Sequence, residues 1–206
     1  MIKGKVKVLL LGSASTGKTT ILNVYYRKNY YGGPTVGIEV SSCLSCSRNV
    51  NGDGVKCPIR FYDMGGSRCW WWWIPDNLPK TDVVFLFYDI TNRKTLGEMD
   101  EILTILFPFR DKFRIILVGN KTDLETQRKI RLWEIQEIIQ KWRYEGLSLS
   151  HIETSVRNII SFKTILNKIT FGFKNITVPK DYRVTDFNLN KPTTTLSWGD
   201  YIFNST

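Results

Sequence analysis

The stretch that decides the fold is VKVLLLGSASTGKTT, Val6–Thr20. It opens with the continuous apolar run VKVLLLG, which has the length and composition of a strand buried on both faces. A segment rich in glycine and small polar residues follows, and the chain from Thr19 onward has a helical pattern. A buried strand joined to a helix in this way predicts the first unit of a parallel α/β sheet.

Further apolar runs repeat this arrangement along the chain. Buried strands are predicted for the runs IRFYD, VVFLFYD, RIILVGN and HIET, at 59–63, 83–89, 114–120 and 151–154. Helices are predicted between and after them, at 95–106, at 131–142, and around the apolar positions Phe162, Ile165, Leu166, Ile169 and Phe173. Strands that alternate with helices predict a mainly parallel, doubly wound sheet.

One connection in the first half of the chain differs from this pattern. The segment GIEVSSCLSCSRNVNGDGVKCPIRFYD contains two extended runs around NGDG, Asn51–Gly54. Such a turn sequence between extended runs is a strong hairpin signal. The second and third strands are therefore predicted to be antiparallel, with a long tip.

The loop after the first strand, GSASTGKT at Gly12–Thr19, fits the phosphate-binding pattern G-x-x-x-x-G-K-[ST]. Its position between a strand and a helix separates it from a chance glycine-rich turn. Backbone N–H groups and the helix N-terminus would face phosphates, Lys18 would reach the outer phosphates, and the Thr19 hydroxyl would ligate Mg²⁺. This loop alone leaves adenylate-type kinases and other ATPases open.

The segment NKTD, Asn120–Asp123, narrows the choice of nucleotide. It follows a predicted strand, at the sheet edge where α/β proteins bind ligands. The Asp123 carboxylate can accept hydrogen bonds from N1–H and the 2-amino group of guanine, whereas adenine has no such donor pair. Asn120 would tie this loop to the phosphate loop, and the Lys121 stem would cover the base.

Three shorter motifs complete the predicted site. In DMGG, Asp63 would hold Mg²⁺ through water and the Gly66 N–H would bond the γ-phosphate. PTVGIE supplies Thr35 to the Mg²⁺ shell, and ETSVRN places Ser155 and Val156 beside the guanine O6. The predicted metal ligands are Thr19, Thr35 and Asp63. The predicted nucleotide-binding residues are Gly12, Ser13, Ala14, Ser15, Thr16, Gly17, Lys18, Thr19, Thr20, Thr35, Gly66, Asn120, Lys121, Asp123, Ser155, Val156 and Arg157.

Along the chain the five motifs stand in the order GSASTGKT, PTVGIE, DMGG, NKTD and ETSVRN. In this order they resemble the Ras superfamily of small GTPases, and most closely its Rab branch. The stretches TVGIEV, FYDITN and ILVGNKTDL are similar to Rab sequences, and the resemblance runs from about Val6 to Lys174. It implies a P-loop small G domain over residues 1–174, with six mostly parallel strands, one antiparallel hairpin strand and five helices. It also implies GTP/GDP and Mg²⁺ binding, GTP hydrolysis, and switch regions around Thr35 and 65–74. Residues 175–206 are predicted to form a polar tail that lies on the domain.

The second switch departs from the common Rab pattern Asp-Thr-Ala-Gly-Gln-Glu. Ser67 stands where a glutamine would orient the attacking water, and its hydroxyl is too short to do so. With Gly66 and Lys18 as the other catalytic candidates, we expect GTP binding with slow hydrolysis. The Ala14 methyl in the phosphate loop could also obstruct an arginine finger from an activating protein.

The chain also differs from common Rabs in features that concern membranes. The hairpin is longer, no cysteine follows Cys69, and the start lacks Met-Gly. These features are typical of an atypical Rab-like protein without prenylation or myristoylation. We therefore expect a cytoplasmic protein that reaches a membrane only indirectly, through a partner protein, or by weak electrostatic attraction.

Four consecutive tryptophans, Trp70–Trp73, follow the second-switch motif. On an α-helix they would point in four directions about 100° apart, so they cannot all be buried. Trp70 and Trp73 are predicted to pack on the core, leaving Trp71 and Trp72 exposed. Exposed tryptophans are strong interface anchors, so this run is predicted to bind effectors, an exchange factor or a second copy of the chain.

Composition limits the remaining functions. No run of about 18 apolar residues exists to span a membrane. The net charge is +10, and residues 1–31 carry six basic side chains and no acidic one, although Lys18 among them already has a role in the phosphate loop. The stretch from Lys174 carries acidic as well as basic residues, so no specific nucleic-acid partner is predicted. Zinc binding is a less favoured alternative because the cysteines do not form two tight pairs, at Cys43, Cys46, Cys57 and Cys69.

Three functions stay open at this point. The first is a GTP-dependent switch in vesicle traffic or a related assembly. The second is a non-cycling interaction module that uses the nucleotide only to stabilise its fold. The third, a small nucleotide or metabolite kinase, leaves NKTD and ETSVRN unexplained.

Overall fold

The computed structural model describes residues 5–27, 33–48, 54–164 and 166, with the backbone alone at 44–48 and 54–57. The strands are β1 (Val6–Gly12), β2 (Ile38–Arg48), β3 (Gly54–Met64), β4 (Val83–Asp89), β5 (Arg114–Asn120) and β6 (Leu149–Glu153). The helices are α1 (Lys18–Tyr25), α2 (Ile74–Asn77), α3 (Lys94–Leu106) and α4 (Leu132–Tyr144). Residues 160–164 are also helical.

The six strands form one sheet in the order β2-β3-β1-β4-β5-β6. Only the β2–β3 pair is antiparallel, and the pairs β1–β3, β1–β4, β4–β5 and β5–β6 are parallel. This confirms the predicted fold class and the predicted hairpin. Because five strands run the same way, their carboxyl ends meet at one edge of the sheet, where α/β folds bind ligands.

Each face of the sheet carries its own core. Alternate residues of β1 divide between them: Leu9 and Leu11 join the core under α3 and α4, while Val8 and Leu10 join the core under α1. All four side chains are at most 2% exposed. A strand covered on both sides by helices is apolar at nearly every position, which explains the run at Val6–Gly12, where Lys7 is the one charged residue.

The predicted amphipathic helices bury the expected faces. In α4, Ile135, Ile139 and Trp142 are buried and Ile138 packs against the same core. Near the end of the described chain, Phe162 and Leu166 are buried in the core under α1. The other predicted positions of this last helix, Ile165, Ile169 and Phe173, lie outside the described side chains, as do the hairpin tip and the tail from 175 to 206.

The tryptophan run does not form the α-helix from which the exposure of its side chains was predicted. Arg68–Trp73 forms a 3₁₀-helix, and α2 begins only at Ile74. With three residues per turn, side chains at i and i+3 lie directly above one another. Trp71 therefore lies above Ile74, on the side that faces the core, and the two are 8% and 0% exposed.

This geometry corrects the predicted exposure of Trp71 and leaves Trp72, at 64% exposed, as the outward-facing tryptophan. Trp70 and Trp73 pack against the core as predicted. Their rings also face each other, with centroids 5.5 Å apart. Three of the four tryptophans thus pack against the core, and only the Trp72 ring faces solvent.

Candidate functional site

The carboxyl edge of the sheet brings most of the predicted site residues together. A cavity of about 340 Å³ opens there between the β1–α1 loop, the segment before β2 and the segment after β3. Its lining residues are Ala14, Ser15, Gly17, Lys18, Thr19, Thr20, Gly33, Pro34, Thr35, Gly66 and Ser67. Gly33 and Pro34 are the lining residues that were not among the predicted site residues, although they directly precede Thr35.

The loop from β1 to α1 depends on two glycines with left-handed backbone conformations. Gly12 has φ 132° and lies against the backbone of Phe87, and Gly17 has φ 92° and lies against the Asn120 amide. A Cβ atom at either position would overlap those groups. The Thr16 hydroxyl closes the turn by donating to the Ser13 carbonyl at 2.8 Å. These contacts fix the shape of the loop that leads into α1. The free N–H groups in the first turn of a helix favour anions.

Lys18 is held inside this loop. Its Nζ donates to the carbonyl oxygens of Gly12 at 2.7 Å and Ser13 at 2.9 Å, and the residue is 5% exposed. Burial lowers the pKa of Lys18 to about 8, while the negative charge of Asp63 acts in the opposite direction. An ammonium group held by neutral carbonyls is well placed to bind an anion such as a phosphate.

The three predicted metal ligands meet next to Lys18. Thr19 Oγ1 lies 2.7 Å from Thr35 Oγ1 and 2.5 Å from Asp63 Oδ2. Asp63 is 2% exposed, and its Oδ1 has no hydrogen-bond partner among the described residues. Burial raises the pKa of Asp63 to about 6, against hydrogen bonding from Thr19 and the charge of Lys18. Two hydroxyls and a carboxylate with a free oxygen fit Mg²⁺, which prefers hard oxygen ligands.

The NKTD loop contacts the phosphate loop through Asn120. Its Nδ2 donates to the Thr16 carbonyl at 2.8 Å, across 104 residues of sequence, and Asn120 is fully buried. Lys121 adopts a left-handed conformation, φ 73°, and its Nζ lies 2.6 Å from Asp89 Oδ2. The structure thus places the loop with Asp123 directly beside the loop with Lys18.

The ETSVRN turn lies next to Asp123. Arg157 Nε is 3.4 Å from Asp123 Oδ2, although the Arg157 side chain is mostly exposed. The buried Ser155 hydroxyl accepts from the backbone N–H groups of Arg157 and Asn158, each at 3.1 Å. Val156 is half-buried between them. The residues predicted to face a guanine base therefore lie together, after the carboxyl ends of β5 and β6.

The segment after β3 closes over the phosphate loop. A Cβ atom at Gly66 would overlap the backbone of Ser13 and Ala14, so the two loops are in direct contact. Gly65 donates its N–H to the Gly37 carbonyl at 2.8 Å, which joins this segment to the one before β2. Ser67 is exposed at the cavity rim, and Arg68 turns away to pair with Glu101 at 2.6 Å.

The two cysteines whose side chains are described, Cys43 and Cys69, lie in different environments. Cys43 is buried in the core under α1, whereas Cys69 is exposed on the 3₁₀-helix. Among the residues whose side chains are described, no three His, Cys, Asp or Glu residues lie together in a way that could hold a metal ion. Cys46 and Cys57, the other two predicted zinc candidates, lie outside that set.

Sequence reasoning missed a polar network behind the base loops. Arg128 contacts both Glu125 and Glu153, and the Tyr88 hydroxyl lies 2.9 Å from Nε2 of His151. The His151 ring of β6 stacks on the Tyr88 ring of β4, with centroids 6.1 Å apart, so this contact crosses β5. Partners 25 and 63 residues apart leave no local signal, apart from the unusual density of charge near Asp123.

The fold and the site define a nucleotide-binding protein of the phosphate-loop class. The sequence profile of the Ras family matches residues 7–174, and the chain belongs to this family of small GTP-binding proteins.

Several Rab proteins are similar to the chain. Ras-related protein Rab11A of Nicotiana tabacum is 29% identical over 170 residues, which cover 79% of this chain and 74% of the relative. Ras-related protein Rab-7b of Homo sapiens is 26% identical over 165 residues, 77% of each chain. The probable Ras-related protein Rab-4A of Echinococcus multilocularis is 31% identical over 153 residues, 72% of this chain and 64% of the relative. In the part of the chain that the structure describes, no helix has the length and apolar character needed to cross a membrane.

Proposed function

We propose that the protein is a Rab-like switch that binds GTP and GDP with Mg²⁺, hydrolyses GTP slowly, and acts in vesicle traffic or a related assembly. The observation that carries this proposal is the meeting of Lys18, Thr19, Asp63 and Asn120 at one sheet edge, with Asp123 beside them. The similarity to Rab proteins supports the traffic role.

In this proposal each loop recognises one part of the nucleotide. Lys18 and the N–H groups of the phosphate loop bind the phosphates, and Asp123 accepts hydrogen bonds from guanine. Thr19, Thr35 and Asp63 would hold Mg²⁺, which would supply positive charge to offset the negative charge of the phosphates. The free Oδ1 of Asp63 supports this assignment, since a buried carboxylate oxygen otherwise lacks a partner.

Slow hydrolysis follows from the residues around the outer phosphate. The Gly66 N–H can stabilise charge there, and Lys18 can do the same, but neither orients a water molecule. Ser67 lies at the cavity rim with a side chain too short for that task. Positioning of the attacking water is a large part of catalysis in this reaction class. We therefore expect the protein to bind GTP tightly and to hydrolyse it slowly.

The base preference is tested by calorimetry of the nucleotide-free chain with GDP, GTP and ATP in the presence of Mg²⁺. We expect both guanine nucleotides to bind and ATP to bind at least about 100-fold more weakly, because adenine leaves the Asp123 carboxylate unpaired. Asp123→Ala should lose the preference, and the exposed control Asp111→Ala should keep it. Equal affinity for ATP and GTP in the unmodified chain would contradict the proposal.

A second candidate, a non-cycling interaction module, is favoured by the contacts of the tryptophan run. The Trp70 ring lies against Gly65, where an added Cβ would be 2.7 Å from the ring, and Trp73 lies 3.7 Å from the corresponding position at Gly37. Aromatic packing therefore connects the two switch segments through the protein itself. Trp72 and Val36, 64% and 73% exposed, offer apolar surface beside this contact.

Trp72→Ala tests whether this surface binds a second copy of the chain. We expect the unmodified protein to self-associate in sedimentation experiments and Trp72→Ala to lose this association, since large exposed aromatic rings anchor interfaces. Trp133, which is 60% exposed on α4, provides the matched control Trp133→Ala. Association that is equal with GDP and with a non-hydrolysable GTP analogue would favour the module, and a difference would favour the switch. Association that survives Trp72→Ala would rule out this surface.

A further inference from the structure

The 3₁₀-helix Thr122–Gln127, which carries Asp123, ends beside an arginine with two carboxylate partners. Arg128 places Nη1 2.9 Å and Nη2 2.8 Å from the two carboxylate oxygens of Glu153. Its Nε and Nη2 also lie 2.7 Å and 2.9 Å from the two oxygens of Glu125. One guanidinium group therefore forms two-pronged contacts with both carboxylates, a geometry that lysine cannot reproduce.

The two partners belong to the two loops that lie at the base end of the site. Glu125 is two residues beyond Asp123 in the same 3₁₀-helix, and Glu153 is the last residue of β6, two residues before Ser155. The loops also touch through a hydrogen bond from the Thr122 N–H to the Thr154 carbonyl at 3.2 Å. Arg128 thus joins the two loops through half-buried groups, in addition to the exposed contact of Arg157 with Asp123.

Burial differs between the two ion pairs. The side chains of Arg128 and Glu153 are 16% and 21% exposed, whereas that of Glu125 is 63% exposed. Exposed ion pairs contribute little because water and salt screen them. The contact with Glu153 is therefore the stronger one. Its hydrogen bonds, followed by those of Glu125, raise the pKa of Arg128, so the guanidinium keeps its charge.

Gly119, the last residue before the NKTD segment, has no side chain and so leaves room for Tyr88 and Glu153. A Cβ atom at Gly119 would be 2.5 Å from the Tyr88 hydroxyl and 3.2 Å from the Glu153 Cγ. Tyr88 in turn stacks on His151, two residues before Glu153. The Glu153 side chain that Arg128 binds therefore lies against Gly119, the residue before Asn120.

We propose that Arg128 is a positioning residue that holds the Asp123 loop and the Ser155 turn at a fixed separation and thereby slows release of the guanine base. The inference rests on the proposed function, because it requires a guanine nucleotide between those loops. A purely structural ion pair would stabilise the fold and leave base discrimination unchanged.

The test measures release of fluorescently labelled GDP in stopped flow, together with the affinity ratio of GDP to IDP, which lacks the 2-amino group. We expect Arg128→Ala to release GDP about tenfold faster, since charge-assisted hydrogen bonds contribute in this range. The GDP/IDP ratio should fall as well, because Asp123 no longer faces the 2-amino group correctly. Arg128→Lys should recover only part of both effects.

Two further variants separate positioning from general stability. Arg93→Ala removes a more exposed arginine–glutamate contact, Arg93 with Glu134, together with a hydrogen bond from Arg93 to the Lys129 carbonyl, and all three residues lie outside the two base loops. It should leave release and the GDP/IDP ratio unchanged. Glu153→Gln keeps the shape of Arg128's partner and removes its charge, so it carries the test if Arg128→Ala does not fold, with faster release again expected.

The proposal is overturned if Arg128→Ala or Glu153→Gln lowers the melting temperature without changing release or the GDP/IDP ratio. It is also overturned if Arg93→Ala has the same effect as Arg128→Ala. Failure of the proposed function is recognised separately, because the unmodified chain would then not retain labelled GDP.

Discussion

Lys18→Met is expected to weaken GTP binding by about 100-fold without weakening the fold. Methionine keeps the length of the side chain but has no charge to offer the phosphates, and charge-assisted hydrogen bonds are worth about 1.5–3 kcal/mol each. In the structure the Lys18 ammonium contacts two backbone carbonyls at 2.7 Å and 2.9 Å while 5% exposed. Calorimetry with GTP and Mg²⁺ measures the loss of affinity.

The expected effect on stability has the opposite sign. Burial lowers the pKa of Lys18 from 10.5 to about 8, so the charged form is disfavoured in the folded protein. The unfolded chain therefore binds more protons than the folded chain, and the free energy of unfolding should rise with pH between about 8 and 10.5. Lys18→Met removes this dependence, and urea denaturation at pH 7 should find it at least as stable as the unmodified protein.

Lys112→Met is the control, because Lys112 is exposed and distant from the phosphate loop. It should change neither GTP affinity nor the pH dependence of unfolding. If Lys18→Met unfolds readily, Lys18 is a structural residue of the loop. If the Lys18→Met variant retains its GTP affinity, other residues bind the phosphates. Either result would contradict the role proposed for Lys18.

The parts of the fold that sequence predicts well are those fixed by local composition. The central strands β1, β4 and β5 have the predicted bounds, since a strand covered on both faces is apolar over most of its length and the run stands out in the sequence. The phosphate loop is equally local. Its backbone requires glycine at Gly12 and Gly17 because of positive φ values and close neighbours, and both lie within one short motif.

The parts that sequence predicts poorly depend on a change of helix type or on distant partners. Trp71 is buried because the run winds as a 3₁₀-helix, and no residue in RCWWWW signals that choice over an α-helix. The contact of Arg128 with Glu153 and that of Tyr88 with His151 join different strands and loops. They follow from the sheet order, which places β4, β5 and β6 side by side.

Ser67→Gln is expected to accelerate GTP hydrolysis by about 10- to 100-fold. A glutamine amide can both donate to and accept from a water molecule, and correct placement of a reactant is worth several kcal/mol of the barrier. Ser67 is exposed at the cavity rim, and its side chain forms no capping hydrogen bond with the following 3₁₀-helix. The longer side chain can therefore be accommodated with little change in stability. Single-turnover hydrolysis of GTP with Mg²⁺ measures the rate.

Ser67→Ala tests whether the serine hydroxyl itself takes part in hydrolysis or whether position 67 only lacks a glutamine. If the serine hydroxyl takes no part in hydrolysis, Ser67→Ala should hydrolyse GTP as slowly as the unmodified protein. A tenfold loss would instead make Ser67 itself catalytic. If Ser67→Gln stays slow while GTP affinity is unchanged, the limitation lies elsewhere. The neighbouring constraint is the contact of Gly66 with the backbone of Ser13 and Ala14, which fixes where any side chain at position 67 begins.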